Sequence, residues 1–220
     1  LVSQGGFPEW NLVYWNVDKQ KALAMLSVTE KSLPSQDRRL LNQCSISPKD
    51  HTLMCVSGNA TFKFFRYVDN AIRPSPGGIK GDPMNYLAHL WLPPEDRMIV
   101  STDNGDLHLI ENCEYRYPLP LSPSDGVSID SLVAYSKGFI CGGDMGLVTI
   151  FERSEDKELY RKMRTIKVES GRKESDGLIG AGDDSLKVLA FSLTPPPTEE
   201  YLLLMTSNKQ LLVLNLNSAD

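Results

Sequence analysis

The stretch CSISPKDHTLMCVSGNATFKFFRY, residues 44–67, holds three short apolar runs that are rich in β-branched and aromatic side chains. These runs are too closely spaced to be helices, and the turn signals SPKD at 47–50 and SGN at 57–59 separate them. The pattern predicts an antiparallel meander of three strands. Because three strands expose two faces and two edges, the meander needs neighbouring sheets to be stable.

Similar strand-like runs recur along the chain. They lie at 1–3, 12–17, 21–29, 41–46, 52–56, 62–68, 71–73, 86–92, 98–101, 107–111, 115–121, 129–135, 138–141, 147–152, 159–168, 186–193, 201–206 and 211–216. Bulky residues at equivalent positions, Trp15, Phe65, Ile110, Phe151 and Leu214, are 50, 45, 41 and 63 residues apart. Repeats of this length with four strands each are typical of β-propeller blades. The interval of 63 contains a polar insertion at 169–184, for which we predict a mobile loop.

The predicted fold is all-β, a partial β-propeller with three full four-stranded blades and an incomplete blade at each end. The blades are placed at about 1–30 (partial), 41–74, 86–121, 129–168 and 186–220 (partial). We expect the first blade to lack its inner strand and the last blade its outer strand. Since propellers avoid exposed edges by closing the ring, such a chain alone is expected to be an open, aggregation-prone arc.

The chain starts without Met and without a signal segment. We therefore expect a piece of a longer protein, whose native molecule has further blades or is held by neighbours in a large assembly.

Composition limits the classes of partner. The 220 residues carry a formal net charge of −5, with Lys and Arg interspersed among Asp and Glu. This balance argues against non-specific binding to nucleic acid or anionic lipid. The charge balance therefore predicts no nucleic-acid partner. No apolar run is long enough to span a bilayer, so we expect no membrane partner.

The four cysteines, Cys44, Cys55, Cys113 and Cys141, show no C-x-x-C spacing, and three of them lie inside apolar runs. Metal sites and disulfide frameworks use closer or more regular spacings. We expect these side chains to act as small hydrophobic residues in a reducing compartment.

Four of the five repeats also carry an Asp or Asn, followed six or seven residues later by a bulky apolar residue. The pairs are Asn59 with Phe65, Asp103 with Ile110, Asp144 with Phe151, and Asn208 with Leu214. Asp and Asn can close hairpin turns through their side chains and tolerate left-handed φ. The phrase resembles the WD-repeat family, although the Trp-Asp pair is nearest to intact as Trp15-Asn16 and no Gly-His pair is present.

Five phrases sharpen this resemblance. They are QGGFPEWNLVYW at 4–15, CVSGNATFKFFR at 55–66, NYLAHLWL at 85–92, STDNGDLHLIE at 101–111 and AYSKGFICGG at 134–143. In this order they resemble an axonemal family of cilia- and flagella-associated WD-repeat proteins. The resemblance implies a non-enzymatic scaffold in the cytoplasm and cytoskeleton, at the axoneme of a motile cilium or flagellum. It also implies protein partners, among them inner dynein arm or regulatory complex components, with tubulin as a further candidate.

The residues that carry chemistry in other proteins have structural explanations here. A single histidine in an apolar strand, such as His89 in 86–92, predicts a satisfied core or channel residue, because a metal needs further ligands. The glycine-rich GGDMG at 142–146 predicts a hairpin turn, since no helix follows it. We expect the acidic pairs Glu199-Glu200 and Asp183-Asp184 to be solvated. No catalytic, cofactor-binding or metal-binding residue is predicted.

Two points stay open in the sequence. The basic cluster YRKMR at 160–164 either prevents unwanted pairing at a sheet edge or binds an acidic partner such as the tubulin surface. The function classes that compete with the axonemal scaffold are a generic interaction module of a nuclear or cytoplasmic complex and a propeller hydrolase.

Overall fold

The computed structural model describes residues 1–7, 9–28, 40–94, 96–119, 127–154, 159–169 and 186–218. Its strands are β1 (Val2–Gln4), β2 (Asn11–Asn16), β3 (Lys21–Ser27), β4 (Leu41–Ile46), β5 (Leu53–Gly58), β6 (Thr61–Val68), β7 (Ala71–Ser75), β8 (Tyr86–Leu92), β9 (Arg97–Thr102), β10 (Leu107–Glu111), β11 (Glu114–Pro118), β12 (Ile129–Tyr135), β13 (Gly138–Gly143), β14 (Leu147–Arg153), β15 (Tyr160–Lys167), β16 (Val188–Leu193), β17 (Tyr201–Thr206) and β18 (Leu211–Asn215). A short 3₁₀ turn covers Asp144–Gly146.

Strands that follow one another in the chain are neighbours in the sheets. Among the described residues there are five sheets: the first is β1-β2-β3, the second β4-β5-β6-β7, the third β8-β9-β10-β11, the fourth β12-β13-β14-β15 and the fifth β16-β17-β18. Three sheets of four strands and two of three strands are the arrangement that the repeat predicted. The assignment of blade boundaries stays a prediction.

The meander at 44–67 is confirmed. Met54 of β5 pairs with Ile46 of β4 on one side and with Phe65 of β6 on the other, antiparallel in both cases. β5 is fully buried, which explains its continuous apolar run; β6 is also buried on both faces around Phe64 and Phe65, with Lys63 exposed between buried neighbours. Pro118 lies in β11, the outermost strand of the third sheet, as expected for a residue that donates no ladder hydrogen bond.

The turn residues differ from the expectation in one respect. Asn59 and Asp144 are not the residues with left-handed φ; the residues that follow them are, with Ala60 at φ 48° and Met145 at φ 60°. The backbone strain of a left-handed φ therefore falls on Ala60 and Met145. The carboxylate of Asp144 binds Lys187, as described below. The predicted mobile loop at 169–184 lies outside the described residues except for Glu169.

The chain divides into two compact units: unit 1 is Leu1–Val100 with His108–Tyr117, and unit 2 is Ser101–Leu107 with Pro118–Asp220. Unit 1 has two cores, one between the first and second sheets and one between the second and third sheets. The first core includes Leu12, Met54, Val56 and Phe65, and the second includes Cys55, Phe64, Tyr86 and Met98. In unit 2 the fourth and fifth sheets share a core that includes Ile140, Val148, Val188 and Leu202. Full burial of one such side chain contributes about 1.5–3 kcal/mol, so these cores hold the sheets together.

Candidate functional site

His89 of β8 lies at the centre of a polar network in unit 1. Its ring atoms Nε2 and Nδ1 lie 2.6 Å from Ser45 Oγ and 2.8 Å from Ser57 Oγ. Trp91 Nε1 donates to Ser45 Oγ at 2.8 Å. A neutral imidazole ring donates from one nitrogen and accepts at the other, so one of the two serine hydroxyls donates to His89 and the other accepts from it. The side-chain amide of Gln43 also bonds both backbone polar groups of His89, at 2.9 Å each.

The distance between Ser45 Oγ and His89 Nε2 is that of a nucleophile and its general base, but the environment of His89 does not suit this role. Burial lowers the pKa of His89 to about 3, whereas a general base works best with a pKa near the operating pH. The partner at Nδ1 is the Ser57 hydroxyl, which carries no charge to stabilise an imidazolium ion. The network therefore joins the second and third sheets, and the prediction of a satisfied core histidine is confirmed. His89 is only 3% exposed.

Neighbouring sheets are also joined at the turns between their first two strands. In unit 1, Lys49 Nζ lies 2.8 Å from Asp96 Oδ2, so the turn of the second sheet is bound to that of the third. In unit 2, the backbone N–H of Ser136 donates to both carboxylate oxygens of Glu199, at 3.0 and 2.9 Å. These contacts fix the turns that each unit presents to solvent.

A cleft of about 380 Å³ lies beside the turns of unit 2. Its apolar lining includes Ile150 and Met163, and its polar lining includes Glu152 and Glu199. The Tyr135 hydroxyl donates to Glu152 Oε1 at 3.1 Å, and burial together with the negative charge of Glu152 raises the pKa of Tyr135. A phenol held protonated in this way can position a ligand through a hydrogen bond but cannot act as a base near neutral pH. The cleft suits the binding of a partner segment.

The acidic pair Glu199-Glu200, predicted to be solvated, lies partly exposed at this cleft. The two carboxylates also make hydrogen bonds: Glu199 accepts the Ser136 N–H, and Glu200 accepts a bond from Asn215 Nδ2 at 3.3 Å. They are held because the turn that carries them folds back against the fourth sheet and the end of β18. The second acidic pair, Asp183-Asp184, lies outside the described residues.

The basic cluster 160–164 lies on β15, the outer strand of the fourth sheet, as predicted. Its members have different environments. Tyr160 is buried edge-on against Phe139, with ring centres 5.3 Å apart. Arg164 donates to the backbone oxygens of Leu216 and Ser218, at 2.5 and 2.8 Å, whereas Arg161 is exposed. Only part of the cluster therefore faces solvent.

Groups of three or more His, Cys, Asp or Glu side chains that would hold a metal ion are absent from the part of the chain that the structure describes. Within those same ranges, no helix has the length and apolar character needed to cross a membrane.

Comparison with curated proteins connects this geometry with a biological setting. No protein-family model matches the chain. Cilia- and flagella-associated protein 57 of Mus musculus is 29% identical over 262 aligned residues, which cover 100% of this chain and 20% of the mouse protein. The aligned region includes the whole of this chain. Cilia- and flagella-associated protein 57 A of Tetrahymena thermophila is 25% identical over 96% of this chain and 16% of its own length. The chain thus spans about a fifth of the length of these relatives.

Solved structures settle the fold. The β-propeller domain of Cps50 (Swd1) from Myceliophteria thermophila superposes with a TM-score of 0.69 over 97% of this chain and 66% of that domain, at 14% identity. Raptor from Chaetomium thermophilum superposes with a TM-score of 0.70 over 100% of this chain and 19% of its own, at 13% identity. Identities this low show the fold alone. The chain has the fold of a partial β-propeller, as its repeats predicted.

Two charged pairs that the sequence did not predict stabilise turns of this propeller. The carboxylate of Asp144 binds Lys187 Nζ at 2.5 Å; burial alone would raise the pKa of Asp144, but hydrogen bonds from Lys187 and Ser128 outweigh it and lower the pKa. The pKa of Asp50 is lowered to about 2, chiefly by the hydrogen bond from the Thr52 side chain and also by Arg66. Asp144 itself was recognised as a repeated turn residue, but nothing in the sequence identified Lys187 as its partner.

The cysteines lie where the apolar pattern placed them. All four are free thiols, and Cys55 and Cys141 are buried within strands. Burial raises the pKa of the Cys141 thiol to about 12, so it carries no reactive thiolate near neutral pH. The side chains serve as small hydrophobic residues in the sheets.

Proposed function

We propose that the chain is a non-enzymatic interaction module of a ciliary or flagellar WD-repeat protein, and that it helps to assemble or position inner dynein arms on the axoneme. The observation that carries the proposal is the similarity to cilia- and flagella-associated protein 57 over the whole chain. The five phrases that resemble an axonemal family in the sequence point the same way.

The geometry supports an interaction role. Each unit presents turns that contacts such as Lys49 with Asp96 and Ser136 with Glu199 hold in place. Turns fixed in advance lose little conformational entropy when a partner binds, which favours their use as docking loops. The hydroxyls of Ser45 and Ser57 both contact the buried His89, and this histidine is a weak base, which favours binding over hydrolysis.

Co-extraction tests the axonemal assignment. A tagged protein in ciliated cells is expected to stay with demembranated axonemes and to be released by salt together with inner dynein arm proteins. Its removal is expected to deplete inner arms while outer arms remain. Recovery from the nucleus or from soluble cytoplasm would instead favour the alternative, a generic interaction module of another complex.

The exposed part of the basic cluster motivates a more specific partner, an acidic surface such as that of tubulin. Half of the eight residues of β15, YRKMRTIK, are Lys or Arg and none is acidic. Co-sedimentation with microtubules at low ionic strength is expected to weaken in Arg161→Glu, because a surface pair of opposite charges becomes a like-charged one. Arg73→Glu, an exposed arginine on the outer strand β7 of the second sheet, is the matched control. Equal losses in both variants would mean that β15 is not the contact.

A further inference from the structure

Lys63 departs from the pattern that the other repeats follow. It lies two positions before Phe65, the bulky residue of its repeat. The corresponding residues of the other repeats include no lysine, arginine or acidic residue; they are Val13, His108, Thr149 and Leu212. His108 and Thr149 are 5% and 1% exposed, whereas Lys63 is exposed. A charged side chain therefore occupies a position that is buried in the third and fourth sheets.

The two buried counterparts contact the outer strand of their own sheet. Thr149 Oγ1 lies 3.0 Å from Oγ1 of Thr165, its cross-strand neighbour on β15. The ring centre of His108 lies 5.8 Å from that of Tyr115 on β11. In these sheets the outer strand thus extends far enough to cover the position.

The outer strand of the second sheet is too short to do the same. β7 ends at Ser75, which pairs with Phe64, so the strand stops one residue short of Lys63. Pro76 follows, and a proline donates no ladder hydrogen bond. Lys63 is therefore left without a cross-strand neighbour on β7.

A cleft of about 300 Å³ lies where β7 ends, within unit 1. Leu26 and Val28 line it from the first sheet, and both are partly buried against the core that contains Phe65. Pro74 lines it from β7. Lys63 is the only charged residue among the described residues of the lining. We define the Lys63 cleft as Leu26, Val28, Lys63, Phe65 and Pro74.

The ammonium group of Lys63 has no carboxylate partner within the described ranges of the chain. Phe62 and Phe64 pack toward the third sheet and Phe65 packs toward the first, so alternation directs Lys63 toward the first sheet and its cleft. The stem of a lysine can lie along apolar walls while its charged end stays in water. A carboxylate that entered the cleft would form a charge-assisted hydrogen bond with this end.

The position of the cleft favours an extended ligand. It lies between β3 and β7, which are neighbours in space and the outer strands of their sheets. Outer strands present backbone N–H and C=O groups that can bind an extended segment. A nucleic acid would need several cations for its phosphates, whereas the cleft offers one cation among apolar side chains.

We propose that the Lys63 cleft binds an extended segment of a partner protein in which one Asp or Glu is flanked by apolar residues. The carboxylate of the segment pairs with the ammonium group of Lys63, and the flanking side chains pack against Leu26, Val28 and Pro74. Charge complementarity selects the acidic residue, and the apolar walls select its neighbours. This assigns a partner chemistry to unit 1 and does not depend on the axonemal assignment.

Selection of displayed random peptides on the protein at its natural length tests the proposal. The parent protein is expected to enrich peptides with an acidic residue between apolar ones, and Lys63→Glu is expected to enrich peptides with Lys or Arg at that place. In fluorescence polarisation with synthetic copies, Lys63→Glu should weaken binding of the acidic peptide by about tenfold or more. Replacement of the acid in the peptide by lysine should restore binding to this variant.

Two further variants separate the effect of the local charge from other effects. Lys19→Glu makes the same charge change at an exposed lysine in the turn between β2 and β3, and it should leave the affinity unchanged. Lys63→Met keeps an apolar stem, so it should no longer distinguish a peptide with glutamate from its glutamine copy. All three variants should keep the thermal unfolding midpoint of the parent, because both lysines are exposed.

Three outcomes would overturn the proposal. The first is equal affinity of the parent for the glutamate peptide and its glutamine copy. The second is that every enriched peptide binds the parent and Lys63→Glu equally well. The third is equally tight binding of a peptide made only of Glu and Gly, because charge alone would then account for the interaction and the apolar walls would have no part in it.

Discussion

Burial fixes the charge state of His89 and thereby couples stability to pH. Its pKa is about 3 in the folded chain and about 6.5 in an unfolded one. As pH falls from about 6.5 toward 3, the unfolded state gains a proton that the folded state does not, so stability falls by about 1.4 kcal/mol per pH unit. We expect His89→Gln to lose this slope, as measured by denaturant unfolding at pH 7, 6 and 5.

The matched control is His51→Gln, since His51 lies exposed in the turn before β5. This variant should keep the pH dependence of the parent. A slope that persists undiminished in His89→Gln would mean that the histidine is solvated in the native state.

Phe65 gives a second prediction for a single residue. It is 3% exposed in the core between the first and second sheets. Phe65→Asp would bury an unpaired carboxylate, and we expect a loss of about 3 kcal/mol or more in the free energy of unfolding. Lys63→Asp, at an exposed position two residues earlier on the same strand, should change stability little. Native-like stability of Phe65→Asp would require the register of β6 to shift by one residue.

The sequence predicts the burial of some residues but not the hydrogen-bond partners of others. The burial of Phe65 and Phe151 follows from the repeat, because equivalent positions of each repeat face the same kind of core. The partners of His89 do not follow, since Ser45 and Ser57 lie 44 and 32 residues away and only the packing of two sheets brings them together. Glu199 is a similar case, with a partner 63 residues away.

At the scale of elements, Gly142 and Phe191 form a pair that can be tested. Any side chain at Gly142 of β13 would collide with the Phe191 ring of β16. We expect Gly142→Val to destabilise by about 2 kcal/mol through overpacking, and Phe191→Ala to relieve much of that cost in the double variant. The measurement is a double-mutant cycle by denaturant unfolding.

Gly6→Val is the control for this cycle, because a Cβ at Gly6 meets no atom within 4 Å. Additive losses in the double variant would show that Phe191 and Gly142 are not in contact.

The elements themselves were largely predictable. Short apolar runs between turn signals fixed the strands of the second sheet to within two residues, because side-chain alternation and turn chemistry are local properties. The turns were less predictable. The left-handed conformation falls on Ala60 and Met145, which have no sequence preference for it, because the hairpin geometry imposes it one position after Asn59 and Asp144.

At the scale of the whole chain, the repeat intervals predicted the number of strands in each sheet, whereas no sequence pattern distinguishes a covered sheet face from an uncovered one. β17 shows why. Its run YLLLM reads as a strand buried on both faces, yet Leu203 and Met205 are exposed.

This uncovered face predicts how residues 1–220 behave when produced alone. The exposed apolar side chains of β17 and β18 favour association with other copies, because each contact removes apolar surface from water; they are Leu203, Met205, Leu211 and Val213. We expect the mass measured by light scattering to rise with protein concentration. The double variant Leu211→Lys with Val213→Lys should reduce this rise, since like charges then meet wherever two such faces approach, whereas Met163→Lys on β15 should not. A parent chain that stays monomeric at all concentrations and unfolds in one sharp transition would contradict both this prediction and the view that the fifth sheet lacks a neighbour.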